Sequence, residues 1–530
     1  MDTIKLVSDF KRNNSMLWVE QGNIKLFVAD AFKSQELKET ISRNKQEILD
    51  FLEYNAVFSK EDFLKRRIFR SLGEESVLSF AQERLWFVEQ YEGGSTAYHM
   101  PSIFELAPIT DISGVKHALQ QVVARHEVLR TTIGHSSNGL QGVQLVHKRP
   151  LAVEEVLVDD KEDLDTIIRK EIKRPFALSE EYPFRAIIYF FGEKKVLLVN
   201  MHHIASDGWS LDVFLRELLA YYDAYIKGDT GFALPELEIQ YKDFSSWQRN
   251  YLTGDVLAQQ IRYWKDKLSG FQPLALPTDH IRPAEINYSG ESLNFILDKT
   301  ISQQVRTLAQ TCGVTLHTVL LSSIHILLGK YSGQDDIVTG SPTANRHHRQ
   351  TEGLIGFFVN TQVNRSILGP DQTFEQLIRE LHKDQVAAQQ HQDLPFEKLV
   401  DQLDLERDSS RNPIFQVMFG VQSFGNEQET EMQQPDYFRP FQSELTYDVA
   451  KFDLSMFIDD SQEELIGQVD YAISLFTKET INRMIGHYLH LLEQLAADPQ
   501  KPYRQHSLLG TKEFEQIVYD WNATDVNYPD

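Results

Sequence analysis

The stretch MHHIASDGWS, Met201 to Ser210, sets His202, His203, Asp207 and Gly208 close together. Residues of these types suit metal ligation, proton transfer at a carbonyl, or a strand that ends in a turn and happens to carry histidines. The preceding apolar run predicts a strand over 196–203, in which successive side chains face opposite ways. His202 and His203 then cannot both reach one ion. The RHHR stretch Arg346–Arg349 has the same defect, and its arginines repel a cation. No other Cys/His/Glu set has ligand spacing, so no metal is expected. After the strand, a turn at Asp207–Gly208 feeds a helix. Leu211, Phe214, Leu215, Leu218, Leu219 and Tyr222 fall on helical spacing, with Ser210 as N-cap, Asp212 in the first turn and Gly228 as the stop. Backbone N–H groups at a helix start stabilise developing negative charge. The layout is one imidazole at a strand end beside a helix N-terminus, suited to proton transfer at an acyl carbonyl. Strand alternation does not choose between the two histidines.

Those elements sit in a chain of 530 residues, 42% apolar and 11% aromatic, enough for several packed cores. Net charge is −24, which disfavours nucleic acid as a partner. No run of 18 or more apolar residues predicts a membrane helix, and MDTIKLVSDF does not read as a secretory leader. The single cysteine, Cys312, fits a reducing cytoplasm and lies in a buried helix pattern as an inert core thiol. From about Glu74 onward helical and strand patterns alternate, giving an α/β (α+β) class. One hairpin is expected around Gly192–Lys194. Polar, proline-bearing stretches near 227–236 and 270–290 mark a break between lobes. Ser423–Asp436 reads as a polar loop.

The first 72 residues differ in charge: 13 Lys/Arg against 11 Asp/Glu, net +2, leaving −26 for the rest. A helix over 3–14, a hairpin turning at Gln21–Gly22 and a helix over 35–54 capped by Ser34 make a small α-β-hairpin-α unit. A core that small is marginal alone, and pairing with a partner is one remedy. KEDFLKRRIFRS then reads as a charged connector.

LSFAQERLWFVEQ, RHEVLRTTI, the opening stretch, YKDFSSWQ, IGFFVNTQVNR, HQDLPFEKL and RDSSRNPIFQVMF follow one another in order. Together they resemble the motif series of a nonribosomal peptide synthetase condensation domain, of the chloramphenicol-acetyltransferase-like superfamily, over about 75–515. The first 55 residues resemble TubC-like docking domains, and YDWNATDVNYPD is similar to the linker that precedes an adenylation domain. The resemblance implies these boundaries: docking domain 1–58, linker 59–74, N-lobe 75–250, C-lobe 251–515 and the start of an adenylation linker 516–530. It implies two lobes in a V with a central tunnel. It also implies that the chain is the front piece of a longer synthetase.

In such domains the second motif histidine works, here His203. The implied reaction is attack of a carrier-bound aminoacyl α-amine on a carrier-bound thioester. Both substrates ride on phosphopantetheine arms, and no cofactor is bound covalently. Asp207 is expected to act as a scaffold, paired with Arg346 or with Arg125 or Arg130; Gly208 N–H is a candidate oxyanion donor, and His202 supports the motif. Trp247, Asn360 and Gln392 are expected at the lobe interface or tunnel. The donor is expected to be L-configured. Implied partners are donor and acceptor carrier domains, a downstream adenylation domain in the same chain, and an upstream synthetase tail bound through Lys5, Lys11, Arg12 and Lys25, with a homodimer through the docking domain as another use of that unit. Two other readings stand: a coenzyme A-dependent acyltransferase, and a non-catalytic platform that recruits other enzymes.

Overall fold

The computed structural model describes residues 3–92, 96–136, 141–159, 161–403, 405, 408–422, 437–441 and 449–523. The expected loop 423–436, Arg407 and the last seven residues of the adenylation-linker stretch lie outside them.

The N-terminal helix is Thr3–Arg12, burying Leu6, Val7 and Phe10. The hairpin pairs Met16–Glu20 with Asn23–Phe27. Its turn falls at Gln21–Gly22 as expected; both residues have positive φ (51° and 69°), the backbone a two-residue hairpin needs. The expected helix over 35–54 is two helices, Gln35–Arg43 capped by Ser34 and Lys45–Tyr54. They part at Asn44, whose side chain bonds back to Thr40 O at 2.8 Å in competition with the helix ladder. The expected linker is also folded. Ser59 caps a helix, Lys60–Lys65. Phe63 and Phe69 join Phe10, Leu17, Ile48, Phe51 and Leu52 in the small core, while Ile68 is buried in the next core. Phe63, Ile68 and Phe69 of KEDFLKRRIFRS therefore point inward from an otherwise charged segment, while Leu64 stays exposed.

The described chain forms two compact units. The first contains Met1–Gln260, Ala344–Asn360 and the described part of Gln434–Leu445. The second contains Ile261–Thr343, Thr361–Gln433 and Thr446–Asp530. A single cut at 250/251 thus does not separate them: the chain leaves the first unit and twice returns. The return segment 344–360 is fastened there by side-chain bonds described below.

In the first unit a five-stranded sheet runs Phe438–Pro440, His99–Leu106, Lys194–His202, Phe184–Phe191, Val153–Val158. The Phe184–Phe191/Lys194–His202 hairpin is the expected one, and Gly192 takes φ 56° in its turn. Helices Ile112–Arg125 and Gly208–Ile226 supply Val115, Leu119, Val122, Val213, Phe214 and Leu218 to the core. They pack so closely that a Cβ at Gly114 would stand 2.8 Å from the Tyr225 ring. A three-stranded sheet of Glu75–Val77, Gly142–Val146 and Thr131–His135 completes the unit.

The second unit has a six-stranded sheet in the order Gly290–Leu297, Leu465–Ala472, Leu454–Asp459, Val417–Gln422, Asp336–Thr343, Asn360–Ile367. Its middle strands Asp336–Thr343, Val417–Gln422 and Leu454–Asp459 are parallel. Helix Leu316–Ser332 is almost wholly buried, and Cys312 is buried, with burial pushing its thiol pKa up. Among the described residues no single helix is long and apolar enough to cross a membrane.

Candidate active site

The motif strand ends at His202, one residue earlier than expected, and His203–Ala205 form a 3₁₀ turn. The cause is His202 itself: its Nδ1 accepts from Ile204 N at 3.0 Å and caps the turn. Nε2–H then donates to Glu89 Oε1 at 3.2 Å. Glu89 belongs to helix Phe80–Glu92, in the LSFAQERLWFVEQ stretch. His202 is completely buried. Its neighbour His99 is buried too, which pushes that imidazole down to about 4.

His203 has a different environment. It is half-buried, its ring meets Phe357 edge-on with centroids 4.9 Å apart, and its Nδ1 lies 2.8 Å from Ser206 O. A carbonyl oxygen only accepts, so Nδ1 carries the hydrogen, and in the neutral ring the lone pair is on Nε2. That tautomer accepts a proton at Nε2 or orients an amine.

Asp207, and not Ser210, is the N-cap of Gly208–Ile226. Its Oδ1 accepts from Ser210 N (2.9 Å), Ser210 Oγ (2.7 Å) and Arg346 Nη2 (3.0 Å). Its Oδ2 accepts from Phe358 N (3.0 Å) and Val359 N (3.2 Å). Arg346 also donates through Nη1 to Thr351 O and Leu354 O, at 2.7 and 2.6 Å. Both charges are buried, and desolvation lowers the guanidinium pKa. The pair nails segment 344–360 beside the motif. Ser210 Oγ adds to the joint by accepting from Gly356 N at 3.0 Å.

Of the three arginines considered for Asp207, only Arg346 reaches it. Arg125 donates to Glu217 Oε1 (3.0 Å) and Pro235 O. Arg130 bonds Ala124 O and His147 O and lies 3.7 Å from Glu127. Both serve the helix Ile112–Arg125 and the turn after it. Gly208 is the first helical residue, with open space where a Cβ would stand, and its N–H is among the donors that a helix start leaves without an intrahelical acceptor.

Trp247 stacks on Tyr251 (4.9 Å) and meets the His348 ring edge-on, packing within the first unit. Asn360 opens the strand Asn360–Ile367. Gln392 lies in the second unit, in the turn between helices Phe374–Gln389 and Phe396–Gln402. That turn is held by Trp264 Nε1–H donating to His391 O and by Tyr263 stacking on the His391 ring. Among the described residues no group of three His, Cys, Asp or Glu is arranged to hold a metal.

Sequence reasoning missed several supports. Phe357 and Tyr241, whose hydroxyl donates to Phe357 O at 2.7 Å, both lie in motif stretches, but only the fold shows that they meet. Buried His126 accepts at Nδ1 from Ile355 N and bonds Glu217 through Nε2.

The cations assigned to docking divide. Lys5 and Lys25 are exposed, Lys25 beside Glu20 at 3.7 Å. Lys11 and Arg12 serve instead as anchors. Lys11 Nζ donates to Phe63 O at 2.6 Å over the Phe63 and Phe69 rings, and burial lowers its pKa to about 8. Arg12 donates to Asn250 O. Lys11 flanks the helix face that packs on the small core, whereas Arg12 is exposed on the other side and reaches the end of helix Tyr241–Tyr251. The second hairpin strand is the more open surface, with Leu26 and Phe27 about half exposed (45% and 46%).

Residues 73–518 match the family model described as "Condensation domain". A linear gramicidin synthase of Brevibacillus parabrevis is 39% identical over 460 residues, 85% of this chain but 6% of that protein. The chain thus spans a small part of the curated relatives it matches. Among solved structures, the X-domain from teicoplanin biosynthesis shares 26% identity at a TM-score of 0.75, over 84% of this chain and 100% of that one. The same kind of domain in complex with OxyB matches at 26% and a TM-score of 0.74, over 84% and 98%.

Proposed function

From the premise that this chain belongs to the condensation-domain family of nonribosomal peptide synthetases, whose members form amide bonds, we propose that it joins two carrier-bound substrates with His203 at the reacting centre. The observation that supports this most is the His203 tautomer: Nδ1–H is committed to Ser206 O, so Nε2 is the basic nitrogen. An α-amine has a pKa of about 8, so part of it is neutral near pH 7 and able to attack. Its nitrogen bonds to the thioester carbonyl carbon, and the carbonyl oxygen takes up negative charge. His203 Nε2 accepts or orients the amine proton. Collapse breaks the C–S bond, and the proton passes to the departing thiolate. Gly208 N–H, at the start of the motif helix, is the proposed donor to the oxyanion. Phosphopantetheine arms bring both substrates in, converting a bimolecular encounter into a local one. The V of two lobes, the tunnel between them, lobe-interface roles for Trp247, Asn360 and Gln392, and cytoplasmic residence belong to the same proposal, as do the adenylation linker from 516 and the L-configured donor.

The proposal gives the N-terminal unit the task of recruiting an upstream synthetase tail. Among the described residues the hairpin sheet has two strands, and Met16–Glu20 already receives Val57 O on its outer side. Asn23–Phe27 is the edge that takes an added strand, with main-chain bonds for affinity and Leu26 and Phe27 for choice. Lys5 and Lys25 favour an acidic tail. A second copy of the unit on this edge is the alternative occupant.

A recruiting platform is the second reading, favoured by the likeness to the X-domain in complex with OxyB. Intact-mass measurement on loaded carriers separates the two. His203→Ala should remove most amide formation with the fold intact, whereas His202→Ala should lower the melting temperature through the loss of its Glu89 and Ile204 bonds. Wild type that forms no amide on loaded carriers leaves the platform reading; full activity in His203→Ala removes His203 from the reacting centre, and swapped effects overturn the assignment of the two histidines.

A further inference from the structure

The segment Arg67–Ser71 joins the small N-terminal core to the rest of the first unit, and it is tied to the walls of the His203 site by two side chains. Gln350, in the short helix Arg349–Glu352, accepts at Oε1 from Arg67 N (3.3 Å) and Ile68 N (3.0 Å) and donates from Nε2 to Ile68 O (3.1 Å). One amide thus holds this backbone in the way a neighbouring strand would. The next residue, Thr351, offers its carbonyl to Arg346, whose other nitrogen holds Asp207. The second tie is Asp243. Its Oδ1 accepts from Ser71 N (2.7 Å) and Ser71 Oγ (2.6 Å), and its Oδ2 accepts from Gln240 N, closing a capping box on helix Tyr241–Tyr251. The first residue of that helix, Tyr241, grips Phe357 O, and Phe357 is the ring against His203.

The connector therefore meets both supports of Phe357: segment 344–360 through Gln350, and the Tyr241 helix through Asp243. We infer that Gln350 is a positioning residue for His203, and that Arg67–Ser71 is a splint that makes the N-terminal unit part of the catalytic framework. The inference rests on the reading of His203 as the proton-handling group. Gln350 is not a catalytic residue. It acts through Arg346 and Phe357, by keeping the imidazole within the small displacement that amide formation tolerates.

The test uses the full chain. Gln350→Leu deletes all three bonds. Gln350→Glu keeps the acceptor pair. Arg70→Ala removes different ties of the same connector, the pair with exposed Glu236 and the contact over the Tyr54 ring; Arg70 feels the Asp243 charge but its pair with Glu236 includes neither support. Single-turnover amide formation is measured with saturating loaded carriers, alongside the ring Cε1–H resonance of His203 in histidine-labelled protein, assigned by its absence in His203→Ala. Because sub-ångström to ångström displacements of a reacting group are steep in rate, Gln350→Leu should lose on the order of tenfold in rate constant with carrier affinity unchanged. It should also shift the His203 resonance, which the Phe357 ring current makes position-sensitive. Gln350→Glu, which keeps the two bonds from Arg67 N and Ile68 N but sets a carboxylate oxygen against Ile68 O, should recover only part of the rate, and Arg70→Ala should leave rate and resonance in place. An unmoved resonance and full rate in Gln350→Leu overturn the inference, as does equal loss in Arg70→Ala, which would make the connector a general stabiliser. If wild type forms no amide, the proposed reaction fails, and the resonance still decides whether the splint positions His203.

Discussion

Replacing Asp207 by alanine offers a worked test of the division between scaffold and chemistry. The carboxylate accepts five hydrogen bonds, from Ser210 N, Ser210 Oγ, Arg346 Nη2, Phe358 N and Val359 N. Removing it leaves the Arg346 guanidinium buried without its counter-charge, a loss of about 3–5 kcal/mol for a broken buried pair. Loss of the N-cap is part of the same defect and brings about 1 kcal/mol when taken separately. At about 2–4 °C per kcal/mol for a unit of this size, the melting temperature should fall by roughly 6–20 °C. Scanning calorimetry gives the shift, and carrier-loaded amide formation well below the transition gives the activity. Arg346→Met in the Asp207→Ala background removes the stranded charge and should recover part of the loss, so the two substitutions are strongly non-additive. A chain with Asp207→Ala that melts like wild type but forms no amide would refute the scaffold argument and make Asp207 a direct participant.

Three further outcomes are expected. Leu26→Glu with Phe27→Ser should weaken transfer from the upstream protein at low concentration and spare condensation from a freely supplied donor carrier; Lys5→Glu and Lys25→Glu should lower tail affinity in titrations at low salt, while Lys11→Gln should lower the melting temperature and leave that affinity alone. Burial holds His99 and His317 at about 4 and His325 at about 3, against 6.5 when unfolded, so the unfolded chain binds more protons in that window. Stability should therefore be flat above pH 6.5 and fall as pH drops towards 4, by about 1.4 kcal/mol per pH unit for each such histidine; His325→Asn, judged by urea midpoints across pH 4–7, should flatten the slope, and an unchanged slope would remove His325 from the account. Condensation with an L-configured C-terminal donor residue should outpace that with its D-epimer in competition on loaded carriers, and the reverse preference would end that expectation.

Features set by neighbours in the chain were the readable ones. Alternation, a glycine turn and an amphipathic run were enough for the hairpin at Gln21–Gly22 and for the strand–turn–helix that carries His203. Breaks caused by single side chains were hidden: Asn44 divides a helix that its apolar stripe predicts as continuous, and His202 ends its strand by capping the next turn. Charge was a poor guide to exposure. Lys11 looks like part of a docking face because lysine is usually solvated, yet its ammonium sits over the Phe63 and Phe69 rings and donates to a backbone carbonyl; Arg12 stays exposed but is likewise bonded to a carbonyl, Asn250 O. The pairing of Asp207 was narrowed by resemblance to three arginines, and spacing alone cannot select among partners brought together by tertiary folding. Phe357, Tyr241 and Gln350 became visible as supports only when the return of segment 344–360 to the first unit was seen.

That return sets an order of events during synthesis. Arg346 follows Asp207 by 139 residues, and between them the ribosome delivers the opening part of the second unit. At about 5–20 residues per second, Asp207 waits on the order of 7–28 s for its counter-charge. The strand Phe438–Pro440, which edges the same sheet, comes later still. A nascent chain stopped before residue 344 carries the whole MHHIASDGWS stretch without Arg346, Phe357 or Phe358. Recombination of such domains meets the same constraint: residues 1–260 exchanged alone would leave Asp207, His126 and Tyr241 facing a segment selected against another partner, so a chimaera has to move 344–360 with them.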